Sequence, residues 1–298
     1  MDYDVAVVGG SFAGLSAALQ LSLARRRVVV LDAGLPRNRF ADVSHGMLGH
    51  DGRSPVEIRD LGRTQLAAYP TARIIESKVE SIAGHIDSFR LTLSAGDDVA
   101  ARRIVLATGV TDMLPTIDGL EAGWGHSVIH CPYCHGYEYL DRRLGVLASN
   151  PMSVHQALLI PDWSADVTLF ADGVAFSDDD RTALARRGVR IVESEVTSVS
   201  LRGAQIESVT LNDGSSFPLD ALFVAPTTAP TGTLHSDLGC RLADGPMGPY
   251  IEVDDQRSTS VPGVYAAGDA ARPMAAAALA ASDGTMAGAM THRSLVFA

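Results

Sequence analysis

The sequence predicts an α/β protein built from two similar doubly wound domains, and three observations carry that prediction. A strand, glycine turn, helix, strand unit opens the chain. The same pattern returns near residue 144, without gaps against the first. Near the C-terminus a further strand-like run, Gly263–Ala267, ends in Gly268-Asp269 and leads into an alanine-rich helix.

In the first unit, Asp4-Val5-Ala6-Val7-Val8 has the continuous apolar character of a strand buried on both faces. Gly9-Gly10 turn the chain into a helix from about Phe12 to Ala24, and Arg27 to Leu31 forms a second apolar strand ending on Asp32. This is a βαβ unit. Apolar segments at Ile74–Val79, Phe89–Leu93 and Ala101–Ala107, separated by turn residues, predict a small antiparallel β insert. The repeat sets Val5–Leu21 on Leu144–Ile160 and Arg27–Leu31 on Asp166–Phe170. The expected partition is a discontinuous first domain, residues 1–112 and 243–298, interrupted by a smaller second domain, residues 113–242.

The chain's 298 residues suffice for two domains that each bury a core. Hydrophobic and charged fractions of 46% and 20% are ordinary for a globular protein. A net charge of -11 argues against nucleic acid and anionic membrane surfaces as partners, and the arginine runs are short and scattered. No run approaches the roughly 18 apolar residues of a spanning helix. The start lacks the basic, apolar and cleavable regions of a signal peptide. The expectation is a cytosolic protein. There thiols stay reduced, and a Cys-x-x-Cys pair is catalytic or metal-binding more often than a structural staple.

The first turn reads Gly9-Gly10-Ser11-Phe12-Ala13-Gly14. A dinucleotide fingerprint wants glycine at its first, third and sixth places, for a tight turn, for approach of a pyrophosphate and for helix-on-strand packing. Ser11 replaces the middle glycine. Asp32, 23 residues after Gly9, stands where a ribose diol would need an acceptor. An ordinary glycine turn is the alternative, but strand, helix and terminal acid together favour nucleotide binding.

The second chemical segment is Cys131-Pro132-Tyr133-Cys134-His135-Gly136. Two cysteines at this spacing close a small, readily opened disulfide, and one thiol of such a pair commonly has a lowered pKa. Cys-x-x-Cys-His is also the haem-attachment signature, but that chemistry normally follows export. Zinc needs a second ligand pair, and Cys240 stands alone; His126 and His130, crowded into the same segment, make a poor tetrahedral cage. Burial as inert core cysteines fits poorly with the polar neighbours. A histidine beside the pair could carry protons near neutral pH, or simply face solvent.

With these residues, Ala107-Thr108-Gly109 after a strand, and Val264-Tyr265-Ala266-Ala267-Gly268-Asp269, the whole chain resembles the low-molecular-weight thioredoxin reductases, flavoproteins of two Rossmann-like nucleotide-binding domains. The resemblance implies that the first domain holds FAD on Gly9, Gly10, Ser11, Gly14, Asp32, Thr108, Gly109, Gly268 and Asp269. It implies a homodimer, no metal, and a redox pair in the second domain in which Cys131 meets substrate and Cys134 faces the flavin. His135 stands where ordinary members carry aspartate. The Cys-x-x-Cys-His-Gly form is similar to the dithiol oxidases that close disulfides in gliotoxin and holomycin biosynthesis. That branch implies a dithiol or disulfide substrate, oxygen as electron acceptor and hydrogen peroxide as product.

The pyridine-nucleotide motifs of the second domain are eroded. Ala148, Asn150 and Ser153 stand against Gly9, Ser11 and Gly14. Asp172 follows the second strand, where arginines would be wanted for a 2′-phosphate; it could still accept a ribose diol. Ala225-Pro226-Thr227-Thr228-Ala229-Pro230 has threonine for the family's glycine. Pro273-Met274-Ala275-Ala276 replaces a polar Arg-Gln stretch expected near the flavin. An NAD(P)H-driven disulfide reductase and a reductase fed by a ferredoxin-like protein stay open as alternatives. His45 and His50, in the loop Ser44–Arg53, are left without an assigned role.

Overall fold

The computed structural model describes residues 2–297. The chain divides into two units, Met1–Arg39, Met47–Thr111 and Thr228–Ala298 in one, Phe40–Gly46 and Asp112–Thr227 in the other.

The first unit is organised by a mostly parallel sheet. Strand Asp2–Val8 pairs in parallel with Val28–Leu31 on one side and with Asp98–Leu106 on the other. Ala72–Ile75 extends the first side and Val264–Ala266 the second, both in parallel. The alternation of the pleat sorts the valines. Val5 and Val7 pack toward Leu15, Ala18 and Ala287 of the helices, whereas Ala6 and Val8 pack toward Phe89, Leu91 and Leu234. Two helices, Phe12–Leu23 and Ala277–Val296, cover the first face. They touch backbone to backbone: a Cβ on Gly284 would lie 2.0 Å from the Ala13 oxygen, and one on Gly288 2.6 Å from that of Ala17. Arg103, fully buried in the central strand, donates to the Ser294 hydroxyl and carbonyl and to Asp87, tying the end of the C-terminal helix to the sheet.

Two sequence expectations need correction here. The segment Ile74–Val79 is not one antiparallel strand. Its first half belongs to Ala72–Ile75, a parallel neighbour of Val28–Leu31. The antiparallel part is the hairpin Val79–His85 and Ser88–Leu93, joined to the first half of Asp98–Leu106. That nine-residue strand is long enough to serve both arrangements. The boundary near residue 243 also moves. Residues 228–242 pack in the first unit because Leu234 and Cys240 are buried in its core. Conversely, Phe40–Gly46 belongs to the second unit, where Gly125 leaves room for the Phe40 ring.

The second unit carries a five-stranded parallel sheet in the order Arg190–Val192, Val167–Phe170, Leu144–Leu147, Ala221–Val224, Val128–Ile129. An antiparallel three-stranded sheet, Val196–Arg202, Gln205–Leu211 and Ser216–Pro218, accompanies it. Helix Met152–Leu159 follows Leu144–Leu147 as Phe12–Leu23 follows Asp2–Val8, which is the internal repeat seen in the sequence.

Candidate functional site

In the first unit the parallel strands end together, and every predicted cofactor residue lies at those ends. Ligands of open α/β sheets bind outside the carboxyl ends of the strands. Gly9 follows the first strand, Asp32 the second, Ala107 to Gly109 the third and Ala267 to Asp269 the fourth. Gly9 adopts φ +109, and a Cβ there would lie 2.2 Å from the Ala107 oxygen. A Cβ on Gly10 would strike the Asp32 carboxyl at 2.4 Å, and one on Gly14 would meet the Gly9 oxygen at 1.8 Å. These three glycines therefore close the turn on its neighbours.

Ser11 is the N-cap of the helix, yet no side chain caps that end, and its first turn holds no acid. Uncapped first-turn amides and the positive end of a 12-residue helix suit a pyrophosphate. Gly268, at φ +73, brings its turn against Ala13 of the same helix. Gly109, at φ +69, faces open space that a side chain would fill; Thr108 precedes it. These features fit FAD.

Two arginines in this unit escaped the sequence reading. Arg63, on helix Pro55–Ala67, donates to Asp32 at 3.1 Å and also pairs with Glu76. Asp32 is buried and accepts the Gly34 amide on its other oxygen. A carboxylate has about four acceptor positions, so capacity for a ribose diol remains. Arg37 approaches Asp269 at 3.4 Å. A polar residue on an exposed helix face or loop carries no local signal of such a role.

In the second unit, strand Val128–Ile129 delivers Cys131 to the start of a single helical turn, Pro132–His135. Proline is suited to the first helical position because its missing N–H costs nothing there. The amides of Cys134 and His135 both donate to the Cys131 carbonyl. Cys131 and Cys134 form a disulfide with Cα atoms 5.2 Å apart, and both are half-buried, so reagents can reach them. Gly136 packs flat on the Trp163 indole, where a Cβ would stand 2.9 Å away, and Tyr133 meets the same indole edge-on. Tyr133 and Tyr137 are exposed.

His135 is half-buried, with both ring nitrogens shielded from solvent. Burial pushes its pKa below the ordinary 6.5; Glu138 and the Cys131 main chain pull it up, and His45 pushes it further down. The His126 ring packs on Phe40 and its carbonyl accepts the Tyr139 hydroxyl, while the His130 carbonyl accepts Gln156. No group of three His, Cys, Asp or Glu is placed for a metal among the described residues.

The turn after Leu144–Leu147 contrasts with the first. The Ser153 hydroxyl accepts the amides of Ser149 and Asn150, at 3.0 and 3.4 Å. The Asn150 side chain accepts the Met152 amide and donates to the Ala225 carbonyl, which also accepts the Ser149 hydroxyl. Amides that a dinucleotide phosphate would need are satisfied within the chain. Asp172, in left-handed backbone at φ +47, accepts the Val196 amide at 2.8 Å. That bond takes one acceptor position of the carboxylate.

The sequence profile of the pyridine nucleotide-disulphide oxidoreductases matches residues 3–284. The chain belongs to that family. This FAD-binding oxidoreductase, of a family acting on sulfur groups, is 34% identical to thioredoxin reductase tcpT of Claviceps purpurea, over 98% of its own length and 94% of the relative's. Its fold matches the crystal structure of an oxidoreductase from Agrobacterium tumefaciens at TM-score 0.95 and 44% identity, covering 100% and 99% of the chains. It matches the crystal structure of HlmI at TM-score 0.92 and 39% identity, covering 99% and 93%. Among the oxidoreductase's described residues, no helix is long and apolar enough to cross a membrane.

Proposed function

We propose that this protein is an FAD-dependent dithiol oxidase: a substrate dithiol and oxygen give a substrate disulfide and hydrogen peroxide. Cys131 is the sulfur attacked by substrate, and Cys134 leaves as the thiolate and later passes electrons on. His135 takes the proton of the attacking thiol and returns it to the departing thiolate. Bound FAD would supply the two-electron link between the enzyme dithiol and the acceptor, held by the glycine turn, Asp32, Gly109 and Gly268-Asp269.

The observation that supports an oxidase over an NAD(P)H-driven reductase is the closed turn of the second unit. Ser153 and Asn150 consume its amides, and Asp172 presents negative charge and a bonded oxygen where a phosphate-binding cation would be wanted. A buried polar group already satisfied gains little by exchanging its partner for a ligand. The thiol pair meanwhile remains accessible. The reductase reading has the naming of tcpT as a thioredoxin reductase in its favour.

Anaerobic reduction of the purified flavoprotein by a dithiol, NADPH and NADH in parallel separates the two. Rapid bleaching by the dithiol alone, followed by peroxide release on admitting air, supports the oxidase. Rapid, saturable bleaching by micromolar NADPH would overturn it.

A further inference from the structure

Helix Pro55–Ala67 turns one ridge of side chains toward the cofactor end of the first unit. Arg59 and Arg63, four residues apart, share a face of it. Gly62 lets that face come close to the first helix, since a Cβ there would stand 3.2 Å from Leu15. Arg63 is committed to Asp32 and Glu76. Arg59, one turn nearer the helix start, is not so engaged. Its side chain is only 19% exposed, and its buried Nε has no hydrogen-bond partner among the described residues. The carboxylate of Asp60 lies 3.8 Å away, beyond hydrogen-bond reach, and is largely exposed.

A cavity of about 140 Å³ brings Arg59 together with Ser11, Gly34 and Arg39. Ser11 holds the place where a dinucleotide fingerprint lets the pyrophosphate approach. Gly34 donates its amide to Asp32, the expected ribose acceptor. The phosphate end of the cradle thus forms one wall of the cavity and the ribose end another. Arg39 already donates to the Pro36 carbonyl.

We propose that Arg59 binds the pyrophosphate of FAD, supplying the cation that the glycine turn itself does not contain. The proposal rests on the reading of that turn as the FAD cradle. Each phosphate of the dinucleotide bridge is anionic. The helix N-terminus offers only about half an elementary charge, and Gly9–Gly14 carries no basic side chain. A guanidinium nitrogen buried without a partner is costly, and the planar fork of arginine matches phosphate oxygens. Binding the pyrophosphate satisfies both. From one helix face, Arg63 holds Asp32 for the ribose and Arg59 holds the phosphates.

The test uses the FAD-loaded protein. Arg59→Met keeps the apolar stem and removes the charge; Arg59→Lys keeps the charge and loses the fork. After dilution, Arg59→Met should release FAD roughly 10- to 100-fold faster than the wild type, the effect of losing a hydrogen bond to a charged group. Arg59→Lys should recover part of that loss. The ³¹P resonances of the bound FAD pyrophosphate should move in both variants while the thermal midpoint changes little. Should Arg59→Met fail to load, the ³¹P shift in Arg59→Lys carries the test alone. Unmoved resonances overturn the proposal whatever the release rate. Equal acceleration in the lysine and methionine variants overturns it too, because packing alone would then explain the loss. A colourless wild type, or a fully loaded Gly14→Val, would instead overturn the reading of the turn as the FAD cradle, and Arg59's role with it.

Discussion

A side chain on Gly14 would begin 1.8 Å from the main-chain oxygen of Gly9, so the first helix can sit on its turn only with hydrogen at that position. Gly14→Val should therefore lift the helix from the strand and spoil the cradle. The expected product is colourless or misfolded, read as flavin released per chain and as soluble yield. A yellow, fully loaded variant would refute the assignment of this turn to FAD.

Asp269→Ala should weaken FAD retention more than it harms folding, because the carboxylate lies at the strand ends on a turn held by Gly268 against Ala13. Dialysis followed by flavin fluorescence measures the loss, and the thermal midpoint of the apo-protein should change little. Unchanged flavin affinity would remove Asp269 from the site.

His135→Ala should slow dithiol-dependent flavin reduction by roughly 10²–10⁴-fold while FAD stays bound. In the wild type the pKa of His135 is depressed, chiefly by burial, so the ring is neutral and competent as a base at neutral pH. The rate should fall only as pH drops through that depressed value and should level off above it. Stopped-flow reduction across pH 5 to 8 tests this, and the variant should lose the acid limb.

Ser153→Ala removes the acceptor of two turn amides at a fully buried position. Leaving a buried donor unsatisfied costs about 1–3 kcal/mol. Urea unfolding should show a loss of that order, while dithiol-dependent reduction by the remaining folded protein stays unchanged.

Asp220→Asn gives an acid signature. Arg143 holds the Asp220 carboxyl down at about 2, from an ordinary 3.8, through its side chain and amide. The folded state binds the proton less readily than the unfolded state, so the contribution is full above 3.8 and is lost as pH falls through about 2. The pair is largely exposed, which keeps the effect small. The urea midpoint of the variant should lie below that of the wild type at pH 7, and the gap should close near pH 2.

The parts of the fold written in local pattern were legible in the sequence. Val5 to Gly14 declares strand, turn and helix within ten residues, and its shadow at Leu144–Ser153 declares the repeat. Cys131 and Cys134 announce themselves by spacing. What escaped depends on distant partners. Nothing around His45 points to Glu138, and Arg63 looks like any polar residue on a helix until Asp32 is seen beneath it. The parallel pairing of Ile74-Ile75 with Val30-Leu31, in the segment Ile74–Val79 that the sequence presents as antiparallel, escapes because a short apolar strand reads the same whichever way its neighbour runs. The erosion of the second turn was visible as missing glycines. That Ser153 and Asn150 close it with their own side chains was not, since hydrogen-bond geometry has no sequence pattern.

That closure also shapes what mutation can reach. Each step toward an open dinucleotide turn, Ser153→Gly or Asn150→Gly, first strips partners from amides and from the Ala225 carbonyl. Stability is lost at once, whereas affinity for a cofactor would return only when Ala148, Asn150, Ser153 and Asp172 had all changed. The path uphill has no intermediate reward. The turn works as a ratchet, and a laboratory search for nicotinamide-driven variants of this protein should find surface docking or altered thiol donors before it finds a rebuilt second cradle.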